Sequence, residues 1–144
     1  MSIRLQLNGF DELLKQIEEA GGTIDGAAKK CLQKSANIMN DELKKQMTAA
    51  NVDSDLINRM PPPELESDGN RHTARVGYKK GDYDPNDPSD GYKVVFANYG
   101  TPHRSKHGQQ PAKGFIQKAK KKANSKIKKA QKETLDDILG GLNE

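Results

Sequence analysis

Between Ala28 and Met47 small and apolar residues return every three or four positions: Ala28, Cys31, Leu32, Ser35, Met39, Leu43 and Met47. That spacing puts all seven on one side of an α-helix and predicts a helix from about Asp25 to Ala49. Whatever the chain folds into must cover this whole stripe. Cys31 lies within it, so a buried thiol acting as a small hydrophobe is the plain reading, ahead of a nucleophile.

The material for covering the stripe is scarce. Leu, Ile, Val and Phe number 26 of 144 residues, about 18%, below the roughly 20% at which globular folding becomes doubtful. Disorder also calls for high net charge, whereas the formal charge is +4. The expectation is one domain over 1–144 that folds but is short of apolar surface, and that gains stability by packing against copies of itself or other partners. The single cysteine excludes an internal disulfide and fits a reducing compartment. There is no apolar run near the roughly 18 residues of a membrane span and no apolar stretch behind Met1-Ser2-Ile3-Arg4, so neither a membrane segment nor a secretory signal is expected.

Elsewhere the patterning is shorter. Ile3, Arg4, Leu5, Gln6 and Leu7 alternate as a half-buried strand does. Phe10, Leu13, Leu14 and Ile17 share one face of a short helix, with Asn8 as its N-cap and Gly21-Gly22 as its stop. Residues 50–71 read as irregular and include Pro61-Pro62-Pro63. Thr73 to Tyr78 reads as a strand. The turn-rich acidic segment 79–91 follows, then Tyr92 to Tyr99, the strongest strand pattern in the chain, ending at Gly100-Thr101-Pro102. After a polar loop over 102–110, a helix is expected from Pro111, suited to a first turn, to Leu139, with an uneven stripe of Phe115, Ala119, Ala123, Ile127, Ala130, Leu135, Ile138 and Leu139, stopped by Gly140-Gly141. This order predicts an α+β fold: a small, mainly antiparallel sheet packed with two N-terminal helices and a long C-terminal helix.

Charge is divided along the chain. From Gly91 to Lys132 there is no Asp or Glu but twelve basic residues, among them Lys113, Lys118, Lys120, Lys121, Lys122, Lys126, Lys128 and Lys129. The stretch Asp53 to Asp90 holds nine acids and five bases, including Asp82, Asp84, Asp87 and Asp90. A basic helix suits a polyanion such as passing DNA. A solvated lysine face, or one complementary to the acidic loop of a neighbouring subunit, is the plainer reading and comes ahead of it. Readers of nucleic acid also carry Arg and stacking aromatics, yet Arg104 is the sole Arg of the basic stretch and Phe115 the sole aromatic of its helix.

The residues that bear chemistry do not gather. His103 and His107 are four apart but sit between Pro102 and Gly108, and no cysteine pair or HExxH pattern accompanies them. Asp82, Asp84, Asn86, Asp87 and Asp90 resemble a calcium loop, but Asp87 stands where such a loop has Gly and Lys93 where it has Glu. His72 is isolated. No phosphate-binding glycine loop or GxSxG elbow is present, and nothing assembles a nucleophile, a base and an oxyanion site. No metal or cofactor and no enzymatic activity are expected.

Several stretches carry a resemblance. Val94-Val95-Phe96-Ala97-Asn98-Tyr99-Gly100-Thr101 is similar to the segment ending "EFGT" or "EYGT" in the small neck, head–tail joining or tail-completion proteins of long-tailed bacteriophages, the minor tail component type. Gly114-Phe115-Ile116-Gln117-Lys118-Ala119 resembles the family's "PFxxxA" opening of a C-terminal helix. Gly9-Phe10-Asp11-Glu12-Leu13-Leu14-Lys15-Gln16-Ile17 resembles its "GxxELLxxL" helix, and Asn51-Val52-Asp53-Ser54-Asp55 its "PVDTGxL" turn. Asn98 stands where the family has Glu, Gly114 where it has Pro, and Asp55 where it has Gly. Gly100 has a mechanical sense of its own, since a sharp turn favours glycine.

The resemblance implies a structural ring subunit of the virion neck, made in the host bacterial cytoplasm. Its partners would be copies of itself, the portal or head-completion proteins and the tail proteins, with non-specific DNA contact in the channel and none with membrane. A tail terminator is the alternative within the same class, and a basic nucleic-acid-binding module the alternative outside it. Rings close through heterologous contacts, and the acidic segment 82–90 and the basic helix 113–132 are candidates for the two complementary faces.

Overall fold

The computed structural model describes residues 2–7, 9–68, 71–79, 89–100 and 111–143. The fold is α+β, with five helices and a three-stranded antiparallel sheet among the described residues. In chain order these are β1 (Ser2–Leu5), α1 (Asp11–Glu19), α2 (Ile24–Ala49), α3 (Ser54–Asn58), β2 (Glu64–Asp68), β3 (Arg71–Gly77), α4 (Asp90–Tyr99) and α5 (Phe115–Leu142).

Helix α2 forms as its periodicity requires. Thr23 caps it, its hydroxyl accepting from the Gly26 N–H at 3.1 Å. Cys31, Leu32, Ser35, Met39, Leu43 and Met47 are all buried, while Ala28 is half-buried beside buried Ala27. One side of α2 meets the sheet and the other meets α5. The two long helices run antiparallel, because Ser35 of α2 meets Gln131 of α5 while Glu42, further along α2, meets the earlier Lys126. Small side chains at Ala36, Ala119 and Ala123, all fully buried, let the helices approach closely.

The sheet order is β1-β3-β2. Register pairs Ile3 with Val76 and Leu5 with Ala74 on the face towards α2, and sets Arg4 and Glu64 on either side of Arg75 on the other face. The main core joins Ile3, Ala74 and Val76 of the sheet to Met39, Leu43 and Met47 of α2, Val94 of α4 and Phe115 of α5. A second cluster, Ile17, Ala27, Cys31 and Leu135, fastens α1 to the far end of α5.

Several expectations are corrected. Tyr92 to Tyr99 belongs to a helix, not a strand: its buried positions are Gly91, Val94 and Asn98, a helical spacing, and Asp90 supplies the acid of the first turn. The segment 50–71 holds a short helix and an edge strand. Pro111 lies outside α5, which begins at Phe115 after Gly114. Gly140 and Gly141 do not stop α5, which runs on to Leu142 with Asn143 as its cap. The expected cap of α1, Asn8, lies outside the described residues, and Phe10 holds the cap position without a side-chain hydrogen bond. No helix among the described residues is long and apolar enough to cross a membrane.

Candidate interaction surface

Helix α5 carries the basic residues, and its geometry sorts them. At about 100° per residue, Lys118, Lys121, Lys122, Lys128, Lys129 and Lys132 fall within one arc opposite the buried Ala119, Ala123 and Ile127, and all six are exposed. Lys120 is exposed but falls outside that arc. Lys126 lies at its border and reaches back to Glu42, Nζ to Oε2 3.3 Å. Lys132 pairs with Asp136 at 3.6 Å, which closes the stripe. Lys118, Lys120, Lys121, Lys122, Lys128 and Lys129 have no ion-pair partner among the described residues.

The order of charge along α5 opposes the helix dipole. The N-terminal end of a helix favours acids and the C-terminal end bases. Here the first turn contains no acid and ends at Lys118, and Glu133, Asp136 and Asp137 sit in the last third. The lysines therefore do not serve the helix that carries them.

The start of α5 is held by α4. Asn98 Oδ1 accepts the Ile116 N–H at 2.9 Å, so a side chain from another helix satisfies a donor that the first turn leaves open. Backbone bonds reinforce the joint: Gly114 N–H donates to Asn98 O at 3.0 Å and Lys113 N–H to Ala97 O at 3.2 Å. Gly114 (φ 60°) and Gly100 (φ 81°) both occupy the positive-φ region that favours glycine, and Gly100 follows a helix rather than the expected strand. Lys113 is half-buried, and its Nζ lies 3.4 Å from Asn51 O. Asn98 is 1% exposed, and its Nδ2 has no hydrogen-bond partner.

Of the acidic candidates, Asp82, Asp84 and Asp87 lie outside the described residues, as do Thr101, His103 and His107. Asp90 is half-buried. Arg59 clamps it with two hydrogen bonds, Nε to Oδ2 at 3.1 Å and Nη2 to Oδ1 at 3.2 Å, which pin the end of α3 to the start of α4. The same guanidinium holds the Asp90 carboxyl below its ordinary pKa. Asp90 is thus committed within the subunit rather than offered to a neighbour.

Between α2 and α5 runs a buried polar seam that the sequence pattern hides. Ser35 Oγ donates to Cys31 O at 2.8 Å, and Gln131 Nε2 donates to Ser35 Oγ at 3.0 Å. Burial pushes the Cys31 thiol up to about 11, so it is an inert packing group. Glu42 is nearly buried, and its carboxyl lies below its ordinary value because the Gln46 amide, then Lys126, hydrogen-bond to it.

His72, isolated in sequence, gains two partners in space. Its Nδ1 meets Ser67 Oγ at 2.7 Å and its Nε2 meets the Asp25 carboxylate. These contacts, with Lys29 beside them, lower the Asp25 pKa. Two grooves of about 390 and 510 Å³ flank His72, lined by residues of α2 such as Ile24 and Ala28, but Ser67 lines neither. The three side chains tie the β2–β3 hairpin to the start of α2. Cross-strand pairing of Ser67 with His72 brings them together, and no spacing in the sequence announces it. No group of three or more His, Cys, Asp or Glu able to hold a metal occurs among the described residues.

Compared with known proteins, the chain matches no family model, no curated protein and no solved structure.

Proposed function

We propose that this chain is a structural, non-enzymatic subunit of a tailed bacteriophage, forming a ring in the neck through which DNA passes, with portal or head-completion and tail proteins as its neighbours. The observation that carries the reading is the joint at the start of α5. The two segments with the strongest resemblance to neck and tail-completion proteins, ending at Gly100 and beginning at Gly114, are brought into contact through Asn98 and Ile116. The third, Gly9 to Ile17, delivers Ile17 to the cluster that fastens α1 to α5. The resembling segments therefore act as one unit, with α5 as its spine and the lysine arc on its outer side. Asn98 does at this joint what an acceptor side chain must do, namely accept from a first-turn N–H.

The lysine arc, unpaired among the described residues except at Lys132, supports a subunit completed by others. Its partners are acidic surfaces of neighbouring subunits or the phosphates of DNA in the channel. A tail terminator remains the variant of the same reading, at a different level of the virion. A dedicated nucleic-acid-binding module is the reading outside it, and duplex binding separates the two. With several lysine–phosphate contacts as its sole purpose, the protein would bind random duplex tightly, with affinity falling steeply as salt rises. A ring subunit should show little binding at about 150 mM salt. Tight, salt-steep binding by the isolated chain would overturn the neck reading.

A further inference from the structure

We propose that the two edges of the sheet join successive copies of this chain, the β2 edge of one copy pairing in parallel with the β1 edge of the next. The proposal rests on the ring reading and names the contact that closes the ring. The order β1-β3-β2 leaves β1 and β2 with one strand neighbour each among the described residues. Each therefore presents a row of backbone N–H and C=O groups outward. All five residues of β2 are exposed.

The two edges differ in charge. On the sheet face away from α2, β2 presents Glu64, Glu66 and Asp68, β3 presents Arg71 and Arg75, and β1 presents Arg4. Within one copy the acidic row already pairs with its basic neighbour: Arg75 to Glu66 is 3.2 Å, and Lys79, just beyond β3, to Glu64 is 2.8 Å. Arg4 and Asp68 have no ion-pair partner among the described residues. A neighbouring β1 would place Arg4 on the open side of the acidic row and repeat the pairing that β3 makes on the other side. On the opposite face, Leu65 of β2 is 36% exposed. Ile3 and Leu5 of the incoming β1 project on that face and extend the apolar layer over it.

Topology fixes direction and symmetry. Both β1 and β2 run antiparallel to β3, so they run parallel to each other. Copies related by a modest rotation keep that direction, and the joint is parallel. Two β2 edges would set acid against acid, which is unfavourable between strands. That disfavours a two-fold dimer through β2 and favours a head-to-tail contact between unlike edges, the kind that closes into a ring.

Hydrogen exchange of the full chain, at concentrations spanning its association and with mass followed by native mass spectrometry, tests this. In the oligomer, peptides covering Ser2–Leu5 and Glu64–Asp68 should exchange at least about tenfold more slowly than in the monomer, while peptides of α2 keep their rates. Arg4→Asp should weaken association about tenfold without lowering the melting temperature of the dissociated monomer, and adding Asp68→Arg should restore association. Oligomers whose two edges exchange as fast as in the monomer, or Arg4→Asp assembling like the parent, would overturn the edge pairing while leaving a ring built on other surfaces. A chain monomeric at every concentration would overturn it too. The neck reading is decided separately, by copy number in particles.

Discussion

The inward and outward faces of α5 are built on opposite principles. Inward, Phe115, Ile116, Ala119, Ala123, Ile127 and Leu135 are all buried in the two apolar clusters, and even the polar Gln131 and Thr134 are hydrogen-bonded there. Outward, six lysines in one arc share a single ion pair, Lys132 with Asp136, among the described residues. The inward face ties the helix to its own subunit. The outward face, set against the helix dipole, does nothing for the subunit alone. Stability and association should therefore respond to different substitutions on the same helix.

Phe115→Ala should show the largest effect. The ring is fully buried where α5 enters the core, so loss of about 3–5 kcal/mol in denaturant unfolding is expected. Ala123→Leu tests the close approach to α2; forcing a larger side chain into that contact should cost about 1–3 kcal/mol. Asn98→Ala removes the acceptor for the Ile116 N–H and should cost about 1 kcal/mol, with faster amide exchange confined to the first turn of α5. A loss spread evenly along α5 would mean that the joint does not act as a cap.

Acid titration probes the seam. The Glu42 carboxyl lies below its ordinary value in the folded chain. Its contribution is therefore complete above the unfolded-state pKa and fades as pH falls through the folded one. Glu42→Gln should flatten that part of the stability–pH curve, leaving the slope contributed by Asp90 and Asp25, whose carboxyls are also lowered. The smallest effect on stability belongs to the outward face. Reversing Lys121, Lys122 and Lys128 to Glu should change unfolding by within about 0.5 kcal/mol and yet abolish assembly into the neck. Assembly at parental efficiency would end the division between the two faces.

The long elements were legible because their periodicity matches what they bury. Helix α2 satisfies its stripe almost residue by residue, and Ile3, Leu5, Ala74 and Val76 alternate as a half-buried pair of strands should. Helix α4 was misread because Val94-Val95-Phe96 between tyrosines has the composition of a strand. The better signal was Ser89-Asp90 ahead of it, a helix start, and Asn98 lying four and seven residues after Val94 and Gly91. Strand β2 was invisible because Glu64–Asp68 buries nothing and exists by pairing with β3. The lysine run was plain in the sequence. Which lysines share a face follows from helical periodicity, but that Lys126 and Asp90 are held within the subunit emerged only from the packing of α2 and α3.

The most direct test of the central claim is quantitative mass spectrometry of purified virions from cells that carry the gene, with this chain measured against the portal protein. The account predicts a constant ratio corresponding to a closed ring, on the order of six or twelve copies per particle. Absence of the chain from particles, or a ratio that varies between preparations, would contradict it and bring DNA binding by the lysine face to the front.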